Sequence, residues 1–103
     1  MDQNLICEAI KNKNIIQFYY NLTDNPGQRT VEPHMIADNE KNQRSLSAWF
    51  LHGSSESKRG PGWREYLLSG ISQLVILPQT FQKPRQDYKP DGGKKFHNVQ
   101  CAV

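Results

Sequence analysis

The chain has 103 residues, 36% of them hydrophobic, with 13 Lys and Arg against 10 Asp and Glu. That suffices for one domain with one modest core, and a mean hydropathy of −0.77 fits a small fold with polar loops. No run approaches the roughly 20 consecutive apolar residues that cross a bilayer, and Met1-Asp2-Gln3-Asn4 has neither the basic nor the apolar region of a secretory leader, so a cytoplasmic protein without membrane contact is expected.

The net charge of +3 sits at one end of the chain. Lys83, Arg85, Lys89, Lys94 and Lys95 outweigh Asp87 and Asp91 by three, so residues 1–82 sum to zero. A neutral body lacks the electropositive footprint of an independent DNA binder. The run from residue 83 reads as a solvated extension, which divides the chain into a domain over 1–82 and a basic extension over 83–103. Cys7 and Cys101 could staple the two ends, but the expected compartment favours a reduced pair. There is no Cys-x-x-Cys, and His34, His52 and His97 are widely separated, so no metal and no cofactor is expected.

In chain order, Asn4 to Lys13 reads as a short helix. Leu5, Ile6, Ala9 and Ile10 form its apolar stripe, and Asp2 or Asn4 caps it. Ile15 to Tyr20 is β-branched and aromatic, hence a strand. Asp24-Asn25-Pro26-Gly27 is turn chemistry, and a returning strand over Arg29 to Ala37 follows. Pro33 lacks a backbone donor, so that strand lies at an edge or bends there. Asp38 to Arg44 is a polar loop.

Ser45 to His52 carries Trp49 and Phe50 side by side. A strand with large rings on both faces belongs inside a sheet, and we read it as the central strand. Gly53 to Gly62 is a flexible loop. Trp63 to Leu68 and Ile71 to Leu77 are further strands, the second stopped by Pro78, with Phe81 folding back as a plug. Phe96 to Val103 has the apolar spacing of a late strand. One helix and about five short strands at roughly ten-residue spacing predict a mainly β fold, a small five-stranded barrel with an N-terminal helix.

The order of several residues resembles the WYL domain family, named for a Trp-Tyr-Leu run that stands here as Trp49-Phe50-Leu51. Ala9-Ile10, Phe18-x-Tyr20, Arg29-x-Val31-x-Pro33 and Arg64-x-Tyr66 followed by Ile71 come in the family's order over about residues 5–82. The resemblance implies an Sm-like, SH3-like barrel from bacterial transcription regulators, standing alone or cut from a longer chain, since the usual DNA-reading domain is missing. It also implies sensing of a nucleotide or nucleic-acid fragment, with Tyr20, Arg29, Trp49 and Arg64 at the pocket by motif position. Two departures alter that pocket. Phe50 lacks the motif tyrosine's hydroxyl, and Gly70 replaces a second arginine.

Each of these residues has a plainer reading. Arg29 shares strand parity with Val31, and Arg64 with Tyr66 and Leu68, so both guanidinium groups aim toward the core side. There they need an anionic ligand or a carboxylate such as Glu32 or Glu65. Tyr20 and Tyr66 can stack on a base, hydrogen-bond a phosphate, or simply edge the core. Trp49 and Trp63 are more often packing residues. No serine or cysteine has a nucleophile's setting, so no enzyme is expected. The leading expectation is a ligand-sensing domain that binds a nucleotide or single-stranded nucleic acid and acts on a DNA-binding regulator chain. The alternative is a protein-interaction or homodimerisation module.

Overall fold

The computed structural model describes residues 2–54 and 60–103. Helix α1, Gln3–Asn12, is capped by Asp2, whose carboxylate accepts from the Asn4 amide at 2.9 Å. Lys13 closes it in the left-handed region at φ 57°. Ile6, Ala9 and Ile10 face the core, whereas Leu5 is 45% exposed and drops out of the predicted stripe.

Six strands follow: β1 (Asn14–Tyr20), β2 (Gly27–Asp38), β3 (Arg44–Gly53), β4 (Gly62–Leu67), β5 (Ile71–Thr80) and β6 (His97–Ala102). They form a mainly β, open sheet in the order β4-β3-β2-β1-β5, with β6 also paired to β2. In place of the predicted five-stranded barrel, closed or nearly so, the described residues form an open six-stranded sheet. Its outer strands, β4 and β5, are joined by the 3-10 turn Leu68–Gly70 rather than by a hydrogen-bonded ladder.

The centre of the sheet is β2, not β3. Twelve residues long, β2 pairs β3 along one side, and β1 and then β6 along the other. Its length comes from bending rather than stopping at Pro33, since the register against β3 shifts between Pro33 and Met35. Pro78 likewise does not end β5, which runs on to Thr80. It sits on an edge strand, where a missing backbone donor costs nothing.

The core lies on one face of the sheet under α1. Ile16, Phe18, Val31, Leu46, Ala48, Phe50 and Tyr66 pack there with Ile6 and Ile10. Residues 83–103 touch the body through Arg85, Tyr88 and the strand 97–102, while most of the run from 83 to 98 is exposed. Phe81 is buried and stacks on His34, as a plug should. The predicted late strand is present as β6, with Ile36 opposite Cys101. Cys101 is joined to Cys7 of α1 as a disulfide, with Cα atoms 5.7 Å apart, so the preference for a reduced pair is overturned. Pairing of β6 beside α1 brings the two sulfurs together, a consequence of long-range register that spacing alone does not show. The predicted loop at 53–62 falls largely on residues 55–59, outside the described residues. No helix among the described residues is long and apolar enough to cross a membrane.

Candidate functional site

Strand parity sorts the predicted residues onto two faces. On the core face, Phe18 pairs with Arg29, Val31 with Phe50, Ala48 with Arg64 and Leu46 with Tyr66. Tyr20, one alternation beyond Phe18, shares their face. Trp49 points the other way, paired with Trp63 and with Glu32. Four of the five predicted residues, Tyr20, Arg29, Arg64 and Tyr66, thus gather on the core face, and Trp49 does not join them.

The four are held by rings and backbone. Tyr20 and Tyr66 meet edge to face at 5.0 Å, and both lean on Phe18. The Tyr20 hydroxyl accepts from the Leu67 amide at 3.0 Å and so ties β1 to the end of β4. Arg29 is only 3% exposed; its Nη2 donates to the Asn25 carbonyl at 2.9 Å, and its guanidinium lies 6.0 Å from the centre of the Tyr20 ring. Its Nη1 is buried without a hydrogen-bond partner among the described residues. Arg64 is half-buried over Phe50 at 5.2 Å and donates to the carbonyls of Trp63 and Gly60.

Both arginines act on Tyr66. Burial pushes its phenol up to about 12, against the opposing pull of the Arg29 and Arg64 charges and of a hydrogen-bonding approach by the Arg29 side chain. The hydroxyl therefore stays protonated at neutral pH and can donate to an anion.

Neither proposed carboxylate neutralises these cations. Glu32 is taken by Arg85 in a two-pronged contact at 2.6 and 2.9 Å, and Glu65 accepts from Asn39 at 2.8 Å. Among the described residues no carboxylate lies within ion-pair reach of Arg29 or Arg64. A buried guanidinium edge with no acceptor costs about 1–3 kcal/mol. Two glycines shape the surroundings. A Cβ at Gly27 would strike the Ser54 hydroxyl, which sits over that strand end, and one at Gly62 would come within 3.2 Å of Arg64 Nη1.

Gly70 has no room for the second arginine that the family resemblance would supply. A Cβ there would stand 2.8 Å from Leu22 and 2.9 Å from the Tyr20 ring. The space is filled by neighbours, so among the described residues the site carries two guanidinium groups.

Comparison with protein-family models, curated proteins and solved structures found no match.

A second cluster, on the outer face, was not anticipated. His34 is fully buried between Trp63, Phe81 and Tyr88, with ring centres 4.8 to 5.2 Å away. Arg85 lies 5.1 Å over Trp49 while holding Glu32, and the Trp63 indole donates to the Gln86 carbonyl at 2.8 Å. The only sequence signals for it were the neighbouring rings in β3 and β4 and the lone Tyr88 in a polar run. Beside it, a groove of about 480 Å³ is lined by Trp63, Glu65, Asp87, Tyr88 and Lys95 among others. It mixes charges of both signs and shares only Arg64 with the core-face cluster. Among the described residues no group of His, Cys, Asp and Glu is placed to hold a metal.

Proposed function

We propose that this chain is a non-enzymatic sensing domain. Its Arg29, Arg64, Tyr20 and Tyr66 bind an anionic ligand, a nucleotide or a short nucleic-acid fragment. The observation that carries this reading is the buried Nη1 of Arg29, left without an acceptor among the described residues and close to the protonated Tyr66 hydroxyl. A fold that tolerates such a cost gains it back when an oxyanion arrives, because charge-assisted contacts are the strong ones. Since that nitrogen is shut off from solvent, the ligand enters by selecting an opened arrangement of the neighbouring strand ends.

The resemblance to WYL domains supplies the ligand class and a link to transcriptional regulation, with a DNA-binding regulator chain as the partner. An Sm-like or SH3-like ancestry is supported by the leading helix, the order β4-β3-β2-β1-β5 and the 3-10 turn between β4 and β5. For the compartment, the cytoplasmic reading must contend with the Cys7–Cys101 bond, which a reducing cytosol opens and an oxidising compartment preserves.

One observation favours a second reading, a homodimerisation module without a small ligand. Edge strand β5 carries no charged residue, and its Val75 and Ile76 are 49% and 39% exposed.

Titration of wild type and Arg64→Ala with mononucleotides and short oligonucleotides in low salt tests the sensing proposal. Loss of one charge-assisted contact weakens binding by about 1–3 kcal/mol. Equal affinities remove Arg64 from the site. A concentration-dependent dimer by sedimentation, with no nucleotide-induced thermal shift, favours the interaction module.

A further inference from the structure

The segment between Phe81 and Phe96 crosses the outer face of the sheet and is tethered at both ends. At one end the Phe81 amide donates to the Lys13 carbonyl at 2.9 Å. At the other, β6 is paired to β2 and bonded covalently to α1. Between these anchors Arg85 pairs with Glu32, Gln86 accepts from the Trp63 indole, and both Arg85 and Tyr88 meet His34. The Arg85 amide donates to His34 Nε2 at 3.1 Å, so that nitrogen carries no proton. The proton sits on Nδ1, which donates to the Glu32 carbonyl at 2.8 Å. Tyr88 adds a hydrogen bond from its hydroxyl to the His34 carbonyl at 3.1 Å.

We propose that residues 82–96 form a pH-released strap, in which protonation of His34 at Nε2 detaches Arg85 and Tyr88 from the outer face and uncovers Trp49 and Trp63. A protonated Nε2 becomes a donor facing the donor N–H of Arg85, and the new positive charge stands beside the Arg85 guanidinium. Several elements face His34. β2 contributes Glu32, whose carboxylate is engaged by Arg85; the strap contributes Arg85 and Tyr88; Val103, just past β6, donates its amide to the His34 carbonyl at 2.9 Å and brings its α-carboxyl group close; β4 and the residue after β5 contribute the uncharged rings of Trp63 and Phe81.

Burial holds the imidazole below its usual value; the Glu32 carbonyl and carboxylate pull it partly back up, and Arg85 adds a lesser downward push. In the lifted state the ring regains its ordinary value near 6.5. The closed form is therefore fully favoured above pH 6.5 and loses ground as the pH falls from there. Each further unit moves the ratio of lifted to closed strap about tenfold, until the closed form itself protonates.

Trp49 and Trp63 are the chain's two tryptophans, so intrinsic emission reads the strap directly. With the disulfide intact, lowering the pH from 7.5 to 4.5 is expected to shift wild-type emission to the red, beginning below pH 6.5, while far-UV circular dichroism stays constant. His34→Gln keeps an acceptor for the Arg85 amide and cannot titrate, so it is expected to show no step. Its comparison with wild type also separates His34 from the exposed His52 and His97. A flat wild-type emission, a shift that coincides with loss of the sheet signal, or a His34→Gln titration identical to wild type overturns the proposal. If His34→Gln does not fold, Arg85→Pro, which has no backbone N–H to give to Nε2, decides. Red-shifted emission already at pH 7.5 without a further step supports the strap, and retention of the full wild-type step overturns it.

Discussion

Replacing Arg29 by Met is the most informative perturbation, because a residue kept for binding and one kept for stability respond oppositely. In the free protein the substitution removes a buried Nη1 with no acceptor, relieving about 1–3 kcal/mol. It forfeits the Nη2 contact to the Asn25 carbonyl, a charged hydrogen bond of about 1.5–3 kcal/mol, and a weak cation–π contact with Tyr20. The methionine stem keeps most of the packing. The terms nearly cancel, so the free variant should lie within about 1 kcal/mol of wild type in urea unfolding.

With a saturating anion the two proteins part. At a ligand concentration 100 times Kd, wild type gains about 2.7 kcal/mol, which for a domain of this size raises Tm by roughly 10–20 °C. Arg29→Met should gain little. The assay is thermal unfolding with and without nucleotide, at fixed low salt. A free variant destabilised by 3 kcal/mol or more, together with no nucleotide shift in wild type, would make Arg29 a structural residue and refute the reasoning.

Three further outcomes are expected. Reducing Cys7–Cys101, or replacing both by Ser, opens a cross-link spanning 94 residues; chain entropy values such a closure at about 4–5 kcal/mol, and native disulfides of small domains at about 2–5, so Tm should fall by at least about 8 °C. A fall of a degree or less would show that β6 holds without the bond. Gly70→Ala drives a methyl into Leu22 and Tyr20 and should cost about 1–3 kcal/mol in chemical unfolding, with nucleotide affinity reduced because Tyr20 moves; an unchanged Tm would show that the neighbours yield freely. Tyr66 titrates at about 12 in the fold against 10 in the unfolded chain, so its stabilising share is intact below pH 10 and is lost as the pH rises toward 12. Urea midpoints in that window should fall more steeply for wild type than for Tyr66→Phe, and equal slopes would contradict the assigned burial.

Much of the fold was legible because its signals are local. The Asp2 cap, the Asp24–Gly27 turn and the alternation in β1 through β4 each lie within a few residues of what they determine. Placing Arg29, Arg64 and Tyr66 on one face needed only parity, and that parity survives in the register. What stayed hidden depends on pairing across the whole chain. Nothing near residue 97 says that β6 meets β2 some sixty positions earlier, and without that pairing neither the disulfide nor the strap is visible. The same blindness misplaced Trp49. Its neighbour Phe50 does face the core, but the outer face that Trp49 occupies is covered by Arg85, from a run whose charge read as solvated. The open sheet has a similar cause, for strand count fixes neither which edges meet nor whether β4 and β5 close on each other.

The most direct measurement follows the arginine side chains themselves. Nitrogen-15 NMR of the Arg29 and Arg64 Nε–H groups, during titration with a mononucleotide, reports whether both guanidinium groups meet the same anion. A shared site requires both signals to shift and saturate with one Kd, with the Arg29 signal gaining the protection of a new hydrogen bond. Movement confined to exposed Arg85, or to none of the arginines, would contradict it.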